Sequence, residues 1–201
     1  MTTPTILTIG HSKHSVQTLV ELLNGKAVEV VIDVRSQPYS RFNPDFNRES
    51  LSECLKKQRI SYLFLGRELG ARSSDPSCYE RGRVQYRRLA ATKLFQDGLR
   101  RVIESAQAQR VALLCAEKEP LACHRTILVG RELEAAGVPV AHIHADGTLE
   151  SNSDALTRLI RMVGLPEEDL FRTRDELIAD AYAAQEERIA FVKDDVRVGA
   201  D

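Results

Sequence analysis

Short apolar runs alternate with longer amphipathic segments along most of the chain, and this alternation restricts the fold more than any other feature. Five runs have the length and apolar character of buried strands: residues 5–9, 28–34, 61–65, 111–115 and 140–145. Between them, apolar residues recur at the three- and four-residue spacing of helices. Strands that alternate with helices in this way favour an α/β domain with a mostly parallel sheet.

We therefore expect about five strands in a mostly parallel sheet with helices on both faces, a Rossmann-like three-layer arrangement, over residues 1–165. Residues 166–201 are expected to form an acidic helical extension, because residues 167–201 contain eleven acidic and five basic residues. This extension could pack back on the domain or serve as a dimer arm. A homodimer is the open alternative to a monomer, since two-fold dimers are the commonest assemblies of soluble proteins.

Composition excludes several classes of protein. The formal net charge of −1 gives no argument from bulk charge for binding to nucleic acid or membrane. The first ten residues lack the basic and apolar regions of a signal peptide, and no apolar run approaches the ~18 residues of a membrane span. Four cysteines without a secretion signal are typical of free thiols, so we expect a cytoplasmic protein with no membrane partner.

The charge is unevenly distributed along the chain. Residues 35–101 contain fifteen basic and seven acidic residues, whereas the acidic residues are concentrated in the tail. A local positive field attracts anions whatever the total charge. This region is expected either to form an ordinary solvated face or to attract a phosphate-rich ligand.

Polar residues and glycines follow the predicted strands at their carboxyl ends. In an open α/β sheet, ligands bind beyond these ends. The residues concerned are Gly10, His11 and Ser12 after the first strand, Asp33, Arg35 and Ser36 after the second, Gly66 after the third, Cys115 and Glu117 after the fourth, and His144 and Asp146 after the fifth. Each also has a structural explanation, such as a turn cap for Asp33. Together they predict one site at one edge of the sheet.

The densest group of reactive residues runs from Cys115 to Arg125. Cys115 is expected at the end of a strand, with Cys123, His124 and Arg125 in the first turn of the next helix. The free N–H groups and partial positive charge of a helix N-terminus bind anions and lower the pKa of a thiol. Arg125 could hold a phosphate, and Glu117 and His124 could move protons. The pattern favours an activated thiolate beside an anionic substrate.

A metal centre is the competing explanation for the same residues. Cys115, Cys123 and one of His124, His142 or His144 would supply sulfur and nitrogen ligands, as zinc prefers. Consecutive residues on a helix, however, point ~100° apart, which disfavours Cys123 and His124 as ligands of one ion. We therefore assign no metal ligand from the sequence, and the cofactor stays unknown.

Several segments in order along the chain resemble the domain of unknown function 488 family. They are residues 8–12, residues 33–40, Tyr62 with residues 65–70, Tyr86 with Arg87, and residues 114–125, where the block Cys-x-Glu…Pro-x-x-Cys-His-Arg is the most specific. The resemblance implies a compact α/β protein and assigns no activity. Ala71 stands where members often have a second glycine, and the tail after Leu165 lies outside the resemblance.

The leading hypothesis from these residues is an enzyme that acts on a phosphate-bearing substrate, such as a nucleotide or a component of nucleic acid. Cys115 or Cys123 would be the nucleophile, Glu117 or His124 the general acid or base, and Asp33 an orienting group. The substrate-binding residues would be Gly10, His11, Ser12, Arg35, Ser36 and Arg125. The alternatives are a nucleic-acid-binding or sensing module without catalysis, and a metal-binding or thiol-redox protein that uses Cys115 and Cys123.

Overall fold

The computed structural model of the chain describes residues 4–193. The strands are β1 (Ile6–Gly10), β2 (Val30–Asp33), β3 (Ser61–Phe64), β4 (Tyr79–Glu80), β5 (Arg83–Val84), β6 (Val111–Cys115), β7 (Val140–Ile143) and β8 (Leu149–Ser151). The helices are α1 (Val16–Asn24), α2 (Arg48–Lys57), α3 (Gly66–Leu69), α4 (Tyr86–Ala90), α5 (Lys93–Ala108), α6 (Arg131–Ala135), α7 (Asn152–Met162) and α8 (Arg174–Ile189).

Six strands form one mostly parallel sheet in the order β3-β2-β6-β1-β7-β8, which confirms the predicted α/β fold. Only β8, at one edge, runs antiparallel to its neighbour, and β4 and β5 form a separate hairpin. The sequence did not indicate β8 because it is three residues long and mostly polar. The helices α4 and α5 are separate, since Thr92 caps the start of α5 by accepting a hydrogen bond from the N–H of Phe95.

The central strands are apolar throughout because both faces of the sheet are covered. In β6, Val111, Leu113 and Cys115 belong to one buried cluster, whereas Ala112 and Leu114 belong to the cluster on the opposite face. All five are at most 4% exposed. This two-sided burial explains a continuous apolar run without the alternation of a half-exposed strand.

The strands are in a register that brings their carboxyl ends to the same level. Gly10 of β1 is paired with Cys115 of β6, and Asp33 of β2 is paired with Leu114 of β6 and Phe64 of β3. The residues that follow these strands therefore lie close together at one edge of the sheet.

The C-terminal helix α8 packs on the domain. The side-chain amide of Gln185 donates to the carbonyl of Leu121 at 2.7 Å, and the N–H of Val84 donates to the carbonyl of Phe191 at 2.9 Å. The chain after α8 thus lies along β5 of the hairpin. Residues 194–201 of the predicted extension lie outside the described residues. Among residues 4–193, no helix combines the length and the apolar character needed to cross a membrane.

Candidate active site

Cys115, Cys123 and His124 meet at the carboxyl end of β6. One ligand atom from each, the two Sγ atoms and a ring nitrogen, lie within 4.8 Å of one another. Nδ1 of His124 is 3.7 Å from Sγ of Cys115 and 3.9 Å from Sγ of Cys123. Both cysteines are free thiols with almost no exposed surface. The fold therefore gathers two thiols and an imidazole in one small volume.

The backbone around Cys123 explains how two consecutive side chains reach the same place. A short 3₁₀ helix, Pro120–Ala122, ends before Cys123, and a π-helical segment, Arg125–Gly130, begins after His124. Cys123 itself is extended, with φ −138° and ψ 141°. The expectation of Cys123, His124 and Arg125 in one helical turn is therefore wrong, and the argument that Cys123 and His124 diverge around a helix does not apply.

The surroundings of the two thiols favour the thiolate at Cys123. Burial alone would raise the pKa of Cys123, but hydrogen bonding with Cys115 and the charges of Arg125 and His124 hold it well below its usual range. The N–H of Arg125 also points at Sγ of Cys123, at 3.5 Å. For Cys115, hydrogen bonding to Cys123 and burial raise the pKa well above its usual range. Cys123 is thus the better nucleophile of the two.

The imidazole of His124 is held so that Nδ1 faces the sulfur atoms. Its Nε2–H donates to the carbonyl of Val34 at 3.0 Å. Burial lowers the pKa of His124, but the hydrogen bond and charge of Cys123 outweigh it and raise the pKa above its ordinary value. The lowered pKa of Cys123 and the raised pKa of His124 both favour a thiolate–imidazolium pair, with a second thiol beside it.

These three residues form part of the wall of a cavity of about 310 Å³. Other residues in the wall are Arg35, Ser36, Gln37, Arg72, Tyr86, Glu117, Ile189 and Phe191. A second cavity of about 340 Å³ is lined by His11, Ser12 and Asn43, and it shares Arg35, Gln37 and Tyr39 with the first. The two cavities are adjacent, and their size suits a small molecule.

Asp33 holds Arg35 in place and does not line either cavity. The carboxylate of Asp33 is fully buried and accepts from Nε of Arg35 at 2.9 Å, from Nη2 at 2.6 Å and from the hydroxyl of Tyr62 at 2.6 Å. Nη1 of Arg35 is 3.3 Å from Nε2 of His11. Asp33 thus has the orienting position expected of it, and Arg35 lies between the two cavities.

His11 is a neutral residue in the wall of the second cavity. Its ring stacks on Phe46 with centroids 4.3 Å apart. Burial and the charge of Arg35 lower its pKa to about 4. At neutral pH the ring is therefore uncharged, and its Nε2 is placed to accept from Arg35.

Arg125 and Gly10, both predicted to bind substrate, have structural roles instead. The guanidinium of Arg125 is fully buried, and it donates to the carbonyls of Glu117 at 2.6 Å and Lys118 at 3.2 Å. It does not line the cavity. At Gly10, a Cβ atom would lie only 1.7 Å from the carbonyl oxygen of Glu117, so only glycine lets this loop approach β1.

Nine residues of the first cavity were not among the predicted site residues, and they include Arg72, Tyr86, Ile189 and Phe191. Tyr86 belongs to a segment that resembles the family named above, and Arg72 belongs to the basic region 35–101. Nothing in the sequence indicated Ile189 and Phe191 as site residues, since their positions depend on how α8 packs. The guanidinium of Arg72 lies 4.5 Å from the ring of Phe191 and donates to Gln37 at 2.7 Å.

Ion pairs neutralise part of the basic region 35–101. Arg88 pairs with Glu80, and Arg101 pairs with Glu68. Arg35 is buried against Asp33. The excess of basic residues in the sequence therefore overstates the free positive charge on this surface.

The comparison with known families gives one match. Residues 15–131, more than half of the chain, match the family described as Domain of unknown function DUF488. The chain belongs to the DUF488 family. No curated protein and no solved structure matches it. The DUF488 match includes Cys115, Cys123 and His124, whereas Ile189 and Phe191 lie beyond its end.

Replacing Arg125 by lysine is expected to lower the free energy of unfolding by about 2–4 kcal/mol, because a compact ammonium cannot reproduce the planar fork that reaches both carbonyls and the hydroxyl of Thr8. Urea denaturation measures this change. The control is Arg100→Lys, whose side chain is 64% exposed and for which we expect a change below about 0.5 kcal/mol. Equal stability of the two variants would contradict the structural role of Arg125.

Replacing Phe191 by alanine is expected to open the wall of the first cavity. N-phenylmaleimide should then label Cys123 faster, whereas the small reagent iodoacetamide should gain little, so the ratio of the two rates rises. Phe171→Ala is the matched control, because Phe171 is 93% exposed and lies outside the cavity. An unchanged ratio in Phe191→Ala would show that Phe191 does not limit access to Cys123.

Proposed function

We propose that this DUF488 protein is an enzyme that acts on a small phosphate-bearing substrate, with Cys123 as the nucleophile. The observation that carries the proposal is the meeting of Cys115, Cys123 and His124 within 4.8 Å in the wall of a cavity of about 310 Å³. A thiolate beside an imidazolium is a common form of activated nucleophile.

The proposed reaction is a displacement through a covalent intermediate. Sγ of Cys123 attacks an electrophilic atom of the substrate, and the bond to the leaving group breaks. The leaving group takes its proton from His124. Glu117, which is exposed in the cavity wall, then removes a proton from water, and the water oxygen displaces Cys123 as the thiolate. Glu117 releases its proton to solvent, and His124 takes one from solvent, which restores the starting state.

The charges around the cavity support an anionic substrate. Among the cationic groups of the wall, Arg35 pairs with Asp33 and His124 with Cys123, whereas Arg72 has no acidic partner in the described part of the chain. Glu117 is the one carboxylate among the described lining residues. Arg72 is exposed and makes no ion pair within residues 4–193, so its guanidinium is available to a ligand. Arginine binds phosphate through paired N–H groups.

Inorganic phosphate is expected to protect Cys123 from iodoacetamide, compared with sodium chloride at equal ionic strength. Arg72→Gln should weaken this protection about tenfold, because one charge-assisted interaction is lost. Arg88→Gln, which removes a partner of Glu80 outside the cavity, is the control and should change nothing. The measurement is the alkylation rate of Cys123 at a series of phosphate concentrations. Equal rates in phosphate and chloride would refute a phosphate-binding site.

The donor geometry also favours a second candidate function, a metal centre. Tetrahedral zinc with one nitrogen and two sulfur ligands separates the nitrogen from each sulfur by about 3.6 Å. The observed distances from Nδ1 of His124 are 3.7 and 3.9 Å. The hydrogen bond from Nε2 to a backbone carbonyl is also usual for a ligating histidine. The cavity would leave a fourth position for substrate.

Elemental analysis of protein purified without a polyhistidine tag distinguishes the two candidates. The thiolate enzyme predicts no stoichiometric zinc or iron in either the wild type or Cys123→Ser. A metal centre predicts about one ion per chain in the wild type and its loss in Cys123→Ser. That second result would replace the thiolate mechanism by metal-assisted chemistry.

A further inference from the structure

Tyr86 has a hydroxyl group without a hydrogen-bond partner beside the reactive thiols. Its side chain is only 2% exposed and forms part of the cavity wall with Cys115 and Cys123. Within residues 4–193, three of the other four tyrosines donate their hydroxyl group to an acceptor in the protein: Tyr39 to Glu49, Tyr62 to Asp33 and Tyr79 to Ser73. The hydroxyl oxygen of Tyr86 is open to the cavity, where it can donate a hydrogen bond to a ligand.

The structure fixes the ring of Tyr86 firmly. Its backbone N–H donates to the carboxylate of Glu186 in α8 at 2.7 Å. Its ring belongs to the main hydrophobic core and is 2% exposed. The hydroxyl group is therefore held in place before any ligand arrives, as a catalytic donor requires.

We propose that Tyr86 is a further catalytic residue, whose hydroxyl group donates a hydrogen bond to an anionic oxygen of the substrate next to Cys123. The proposal rests on the proposed function and narrows its substrate to one that presents a tetrahedral oxyanion, such as a phosphate monoester, close to the thiolate. Arg72 and Tyr86 are both in the wall of this cavity, so a charged donor and a neutral donor are available to the same group.

The hydroxyl group of Tyr86 keeps its proton, and so remains a hydrogen-bond donor, at every pH at which the protein would be studied. Burial and the negative charge of Cys123 raise the pKa of Tyr86 well above its usual range. A neutral O–H donates a hydrogen bond to a bound anion, and this bond strengthens as further negative charge develops on the oxygen during reaction.

Tyr86→Phe tests the proposal, because it removes the hydroxyl group and keeps the ring in the core. The readout is the phosphate concentration that halves the rate of Cys123 alkylation by iodoacetamide. We expect this concentration to rise about tenfold in Tyr86→Phe, each variant being compared with its own rate in the absence of phosphate. Tyr79→Phe, which loses a hydrogen bond outside the cavity, should behave as the wild type. Equal phosphate concentrations in Tyr86→Phe and the wild type would overturn the assignment.

A second measurement covers the case in which Tyr86→Phe folds poorly. The chain contains no tryptophan, so the near-ultraviolet absorbance of the wild type reports on its five tyrosines. Phosphate should produce a tyrosine difference spectrum in the wild type and in Tyr79→Phe. No such spectrum in a wild type that phosphate does protect would overturn the role of Tyr86. If phosphate fails to protect the wild type at all, the proposed function itself has failed, and the assignment of Tyr86 falls with it.

Discussion

The segment between β6 and Arg125, residues 116–124, depends on the buried guanidinium of Arg125. This group donates to the carbonyls of Glu117 and Lys118 and to the hydroxyl of Thr8 in β1, so it connects the loop after β6 to the neighbouring strand. Thr8 is in turn hydrogen-bonded to His142 of β7 at 2.8 Å. Gly10 completes the arrangement, since any side chain there would push the loop away. The positions of Cys123 and His124 follow from these contacts.

The charge of Arg125 has a further consequence. The guanidinium is fully buried, and no carboxylate forms an ion pair with it within the described part of the chain. An isolated buried charge is very unfavourable, so an anion nearby stabilises the fold. The charge of Arg125 helps to hold the pKa of Cys123 below its usual range, and the N–H of the same residue points at the sulfur. A thiolate at Cys123 is thus favoured by the same residue that holds the loop.

Much of this arrangement could be predicted from sequence, because it follows from the parallel sheet. The apolar runs located the central strands, the rule that ligands bind beyond strand carboxyl ends selected Cys115 and Arg35, and the dense group of reactive residues after Cys115 selected Cys123 and His124. The local backbone could not be predicted. The side chain of Cys123 lies near that of His124 because the backbone of Cys123 is extended and not helical. No pattern of residues in the sequence predicted this backbone conformation. The burial of Arg125 was equally hidden, because a motif does not reveal whether a side chain faces a cavity or a carbonyl group.

The C-terminal part of the chain was the least predictable part of the site. Ile189 and Phe191 lie in the cavity wall only because α8 packs on the domain and the chain then follows β5. These contacts join residues about a hundred positions apart, such as Glu186 and Tyr86, and long-range pairs of this kind leave no periodic signal. The family match ends at residue 131, so this wall belongs to the part of the chain outside it.

Site-resolved alkylation tests the central claim, that Cys123 is an activated thiolate in the cavity, most directly. Native protein is treated with less than one equivalent of iodoacetamide at neutral pH, and mass spectrometry then locates the modified cysteine. Exposure alone would favour Cys54, the only one of the four thiols that is not buried. Our account predicts that Cys123 is modified first although it is only 2% exposed. Preferential modification of Cys54, with Cys123 unreactive until the protein is unfolded, would contradict it.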